Sequence, residues 1–139
     1  MVKAALVLGG GGFIGGHLVS RLKREGFWVR AIDLKRPSFS DSEADEFIVA
    51  DLRDPRVVAA AFDRRFDEVF QLAADMGGAG YIFTGAHDAD IMHNSASINL
   101  NVVHEAQKRG VNRVFYSSSA CIYPQQNQTD PNNPNCVES

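Results

Sequence analysis

The chain is short of cysteine, of charge of one sign and of long apolar runs, and each shortage closes a class of function. Its 139 residues hold two cysteines, Cys121 and Cys136, without the repeated close spacing of a zinc site. In the reducing compartment expected for this chain, both are read as free thiols. His17, His87, His93 and His104 are scattered and form no metal motif. Lys and Arg number 14 against 17 Asp and Glu, a formal charge of -3 mixed along the chain. That leaves no polybasic field for nucleic acid or an anionic membrane. The first apolar run, Ala4 to Leu8, is too short to cross a bilayer and lacks a signal-cleavage pattern. A cytoplasmic protein with neither nucleic acid nor membrane as partner is the expectation.

What is present is an apolar fraction of 45%, enough to bury a core in one compact domain. Val2 to Leu8 reads as a buried strand, and Gly9 to Gly12 as a turn into a helix whose apolar positions Ile14, Leu18 and Leu22 recur every four residues. Arg21, Lys23 and Arg24 suit the end of that helix, and Gly26 suits its stop. Phe27 to Ile32 reads as a second strand ending at Asp33, Lys35 to Glu46 as an exposed loop, and Phe47 to Ala50 as a third strand. Asp54 and Pro55 form an N-cap and N1 pair for a helix presenting Val57, Val58, Ala61 and Phe62 to a sheet. Val69 to Ala73 reads as a fourth strand and Asp75 to Asp90 as irregular. A helix is expected from Asn94 or Ser95 to Arg109, with a buried stripe of Ile98, Val102 and Ala106, and then a fifth strand, Arg113 to Ser117.

Strands separated by helices in this order need right-handed crossovers, so the expected fold class is α/β, a Rossmann-like doubly wound parallel sheet. Five strands are an incomplete unit of that kind. Residues 1–139 are therefore expected to be a dinucleotide-binding domain, incomplete at its C-terminal side, in a larger two-domain protein whose substrate-binding domain is absent from this chain.

Gly9, Gly12 and Gly15 occupy the three positions of a GxxGxxG turn between strand and helix. Bare backbone there permits a tight turn, close approach of a pyrophosphate and close helix packing, while the helix N-terminus attracts the anion. Asp33 can accept hydrogen bonds from an adenosine ribose, which favours NAD over NADP, although Lys35 and Arg36 stand near. Asp51 and Leu52 follow the third strand and are candidates to lie beside the adenine. Leu72, Ala73 and Ala74 end the fourth strand, where small residues let the middle of a dinucleotide pass, unless they are plain core.

Together, Gly9-Gly10-Gly11-Gly12-Phe13-Ile14-Gly15, Asp33, Asp51-Leu52, Leu72-Ala73-Ala74 and Ser117-Ser118-Ser119 resemble the extended short-chain dehydrogenase/reductase family of nucleotide-sugar enzymes. The resemblance implies that Phe13, Ile14 and Ser117 join the NAD site. Two segments, Leu72 to Gly78 and Ser119 to Pro124, look like the branch of that family that epimerises GDP-mannose at C3 and C5. By that likeness Ser119 hydrogen-bonds the sugar's reacting oxygen, Cys121 is an acid/base at a sugar carbon, and Gly77, Gly78 and Ala120 approach the substrate. The family's YxxxK pair has no match here, and Tyr116 and Tyr123 do not replace it. The family also implies a nucleotide-sugar partner and a homodimer. A thiol suits proton exchange near neutrality because its unperturbed pKa is about 8.5. The bland alternative is that Cys121 is a buried small hydrophobe. Two other functions stay open: a 4-epimerase or 4,6-dehydratase acting on another nucleotide hexose, and a non-catalytic NAD-binding module.

Overall fold

The computed structural model describes residues 2–119, 123–127, 129, 130 and 132. Its pivot is β1 (Ala4–Leu8), whose five residues are all buried because apolar material covers both of its faces. β1 pairs in parallel with β2 (Trp28–Asp33) on one side and with β4 (Glu68–Gln71) on the other. β3 (Glu46–Val49) extends the sheet beyond β2 and β5 (Arg113–Tyr116) extends it beyond β4, giving the order β3-β2-β1-β4-β5. This all-parallel order, reversing direction at β1, is the doubly wound arrangement.

Successive side chains of a strand point to opposite faces, so β1 feeds two cores. Leu6 and Leu8 join Val58, Ala61 and Phe62 from the helix α2 (Pro55–Ala61) and its C-cap, with Ile98, Val102 and Ala106 of α4 (Asp88–Lys108). Ala5 and Val7 join Val19 and Leu22 of α1 (Phe13–Arg24) on the other face. α1 stops where Gly26 takes a φ of +82° and donates its N–H to Lys23 O, while the Phe27 N–H reaches Leu22 O. Gly110, at +65°, ends α4 with the same pair of bonds to Gln107 O and Ala106 O. Both are left-handed glycine stops, which a β-carbon would strain. At the other kind of terminus, Asp54 accepts from the Arg56 N–H with Pro55 behind it.

Three details depart from the sequence reading. Ile14 is exposed, and the buried face of α1 runs through Gly15, Val19 and Leu22 instead. The cause is the close seat of Gly15 on the turn, which points that side of the first helical turn at the sheet. α4 begins at Asp88, well before Asn94, with Asp88 and Asp90 in its first turn where the helix dipole favours them. A short turn of helix, α3 (Ala79–Ile82), sits inside the stretch read as irregular. Among the described residues no helix is long and apolar enough to cross a membrane.

One buried charge ties the edge of the sheet to α2. Arg30 lies on the α2 side of β2, with its guanidinium over the rings of Trp28 and Phe66. It donates to Glu46 at 2.7 Å, to Asp63 at 2.6 Å and to the Ala61 carbonyl at 2.8 Å. Burial pushes its pKa down, but the bonds to Asp63 and Glu46 outweigh this and leave it above the ordinary arginine value. We predict that Arg30→Ala lowers unfolding free energy by about 2–3 kcal/mol in urea melts, through lost packing and an unpaired Ala61 carbonyl. Arg30→Lys should recover less than half, since an ammonium lacks the planar fork; full recovery would show that charge alone matters.

Acid stability carries a second expectation. The Arg56 side chain, and then the Arg56 backbone N–H, hold the Asp54 carboxyl down to about 2 from its ordinary 3.8. Its contribution is complete above 3.8 and is lost as pH falls through about 2. Asp54→Asn keeps a capping oxygen but should flatten the slope of stability against pH in that window. An unchanged slope in pH-jump denaturation would contradict this.

Candidate functional site

At the C-terminal edge of the sheet a cleft of about 500 Å³ opens between the strand ends. The turn between β1 and α1 supplies Gly9 and Gly12, the end of β2 supplies Asp33, and the segment after β3 supplies Asp51 and Leu52. Leu72, Ala73 and Ala74 line it from the segment after β4. These eight residues, read from the sequence as a cofactor set, thus face one cavity.

The turn is built by backbone. The Gly9 and Gly10 N–H groups both donate to Ile32 O, at 2.8 and 3.1 Å, lashing the turn to the end of β2. Gly9 has a φ of +86°, and a β-carbon there would lie 2.8 Å from the Ala73 nitrogen. A β-carbon on Gly15 would overlap Gly9 O. Gly12 is the N-cap of α1, and no side chain caps that end. The first-turn N–H groups and the positive end of the helix dipole are therefore suited to an anion, in a cradle that side chains would fill. The residues present fit a dinucleotide.

Charge is arranged around the rim. Asp33 accepts from the Gly11 N–H at 2.9 Å and stands beside Lys35. Asp51 is already paired: Arg53 grips its two oxygens through Nη2 and Nε at 2.5 to 3.0 Å. That side-chain bond holds the Asp51 carboxyl below the usual carboxylate range against the opposing effect of burial. Asp75 closes the far end, accepting from Asn94 Nδ2 at 2.7 Å and from the Tyr81 hydroxyl at 3.3 Å. Its own N–H donates to Ser95 Oγ at 3.2 Å, pinning the strand end to α4. Burial, followed by the nearby Asp75 charge, raises the pKa of Tyr81.

Arg53, Asp75 and Asn94 line the cleft and were missed by sequence reasoning. Asp75 was in view only as part of an apolar-to-glycine segment, and nothing in its spacing to Asn94 reveals that a helix brings the two together. Other expected residues stand elsewhere. Phe13 is exposed and lines a second cleft between α1 and the loop at residues 37–43, and Ile14 points to solvent. Gly77 and Gly78 are exposed, next to Met76, which lines the main cleft. Ser117 continues the pairing of β5 by donating its N–H to Gln71 O, and Ser119 follows on the surface. Ala120 and Cys121 lie outside the described residues.

Known proteins resemble this chain in sequence and fold. A model of the NAD dependent epimerase/dehydratase family matches residues 5–138. GDP-mannose 3,5-epimerase of Arabidopsis thaliana is 41% identical over 135 residues, 96% of this chain and 35% of that protein. An epimerase of Methanothermobacter thermautotrophicus superposes with a TM-score of 0.77 at 29% identity, covering 98% of this chain and 42% of the other. UDP-glucose 4-epimerase of Thermotoga maritima superposes with a TM-score of 0.70 at 29% identity, over 84% of this chain and 38% of the other. The chain spans about a third of the length of the curated relatives it matches.

Two neighbouring glycines of α1 test the turn. Gly15→Ala forces a β-carbon onto Gly9 O and should cost about 3 kcal/mol of stability, the upper range for overpacking. Gly16→Ala meets nothing within 4 Å and should stabilise by roughly 0.5–1 kcal/mol as a helical glycine replaced by alanine. Equal effects in paired thermal melts would refute the close seat of Gly15.

Proposed function

The chain belongs to the NAD-dependent epimerase/dehydratase family, and from that premise we propose that it forms the cofactor half of a nucleotide-sugar epimerase. The observation that carries this reading is the convergence of the glycine turn, Asp33 and Ala73-Ala74 on one cleft. NAD held there supplies reversible two-electron oxidation of a sugar carbon. The turn brings its bare backbone and the start of α1 to the pyrophosphate. Asp33 accepts from the adenosine ribose, and its charge opposes a 2′-phosphate. Leu72 and the two alanines leave room for the middle of the dinucleotide, and Ser119 hydrogen-bonds the reacting sugar oxygen.

Oxidation at C4 of a hexose acidifies the hydrogens at C3 and C5, and two finer reactions diverge from that ketone. In 3,5-epimerisation of GDP-mannose, Cys121 exchanges a carbon-bound proton on one face of the ring before C4 is reduced again. The 41% identity to a GDP-mannose 3,5-epimerase and the Ser119 to Tyr123 segment support it. In 4-epimerisation of a UDP-sugar, C4 is reduced from its other face and no carbon acid/base is needed. That reading gives Cys121 no role but, like the first, needs a base outside these residues to take the C4 hydroxyl proton as hydride leaves, and the likeness to UDP-glucose 4-epimerases supports it.

The two reactions separate in deuterium oxide, using the longest reading frame that contains these residues. With GDP-mannose, 3,5-epimerisation places deuterium at C3 and C5, and Cys121→Ser should slow that exchange by at least about 100-fold while NAD affinity stays unchanged. Equal exchange in the variant removes the role given to Cys121. A C4 epimer formed from a UDP-sugar without carbon exchange decides for the second reaction, and no turnover with either substrate rejects both.

A further inference from the structure

Asp33 faces the cleft, but what aims it stands behind it. Gly11 lines the second cleft and not the first, and its N–H donates to Asp33 Oδ2 at 2.9 Å. Among the described residues, Asp33 Oδ1 receives a long 3.4 Å approach from the Lys35 N–H. A β-carbon on Gly11 would overlap Lys35 O and lie 3.0 Å from both Cβ and Cγ of Asp33. Gly16, one turn on, would meet nothing. The demand for bare backbone at Gly11 therefore comes from the returning segment 33–35. Gly12, which does line the main cleft, has only Gly9 O at 3.4 Å.

We propose that Gly11 is a specificity-determining positioning residue for the cofactor. Its N–H tethers one oxygen of Asp33 so that the other is presented to the adenosine ribose, and its missing side chain lets residues 33–35 close on the turn. The proposal rests on the reading of Asp33 as the ribose acceptor. A carboxylate offers about four acceptor sites, and the tether uses one while removing the rotation that would scatter the rest. A bond from a backbone N–H to a carboxylate is of the stronger, charge-assisted kind. The same tether acts against a 2′-phosphate: the carboxylate is held in place and cannot swing away from the second negative group. Acceptance of NAD and rejection of NADP thus depend on one backbone donor.

Titration of the protein made from the longest reading frame that contains these residues, with NAD and NADP by calorimetry, tests this, with Gly11→Ala, Asp33→Asn and the double variant forming a cycle. Gly11→Ala should lower the ratio Kd(NADP)/Kd(NAD) about 10- to 100-fold, the span expected when a bond to a charged group is lost. In the Asp33→Asn background it should leave that ratio unchanged. If Gly11→Ala weakens both dinucleotides equally, or moves the ratio as far without Asp33 as with it, the proposal fails. Should Gly11→Ala not fold, the wild-type fold carries its own readout. The Gly11 amide proton should resonate downfield and move upfield in Asp33→Asn, and an unmoved resonance overturns the tether. A wild-type chain that binds neither dinucleotide rejects the cofactor reading, while the Gly11 resonance still reports on the tether.

Discussion

At the end of β1 the main chain of the glycine turn lies directly on the ends of two neighbouring strands. The turn is bonded to the Ile32 carbonyl near the end of β2, and it lies so close to the backbone of Leu72 and Ala73 beyond β4 that a β-carbon on Gly9 would fall within 3 Å of both. No layer of side chains separates them. That contact places the start of α1 over the sheet edge, sets which face of α1 is buried, and brings the ends of β1, β2 and β4 to one cavity. The side chains that give the cleft its chemistry are carried on this backbone frame and would lose their mutual placement without it.

Around the frame, the acids of the rim differ in what holds them. Asp33 is held by backbone, Asp51 by the neighbouring Arg53 side chain, and Asp75 by groups from α4 and α3. A carboxylate gripped by an arginine is partly neutralised, whereas one held by an N–H keeps its charge and its remaining lone pairs for a ligand. This difference suits Asp33 to read hydroxyl groups, and it suits Asp51 to shape the wall.

The parallel sheet and the glycine turn were legible because their signals are local: an apolar run, a glycine spacing, an acid at the next strand end. The stripe of α1 was misread at Ile14 because four-residue spacing is met by more than one face, and only the seat of Gly15 chooses between them. The start of α4 was placed late because Asp88 to His93, although it holds Ile91 and Met92, shows no buried periodicity, and its acids are the one sign of a helix N-terminus. Gly11 drew no notice among four consecutive glycines, since its constraint arises from Lys35, which only the return of β2 brings near. Asn94 escaped for the same reason of distance along the chain, whereas Arg53 stands two residues from Asp51 and only its grip on that carboxylate marks it. The role of Cys121 rests on its sequence setting.

The pairing of β1 with both β2 and β4 also sets the order in which this molecule is made. β1 meets β2 across a single helix, with Ala5 against Val29, but meets β4 across a much longer stretch of chain, with Ala5 against Glu68. Closing that larger loop costs conformational entropy before any contact repays it, which slows folding of sheets built from distant segments. A chain emerging from the ribosome has its glycine turn early, yet one wall of the cleft is missing until residues 72–75 follow. Until then β1 is a fully apolar strand with one open edge, and its protection from wrong partners depends on how soon β4 arrives.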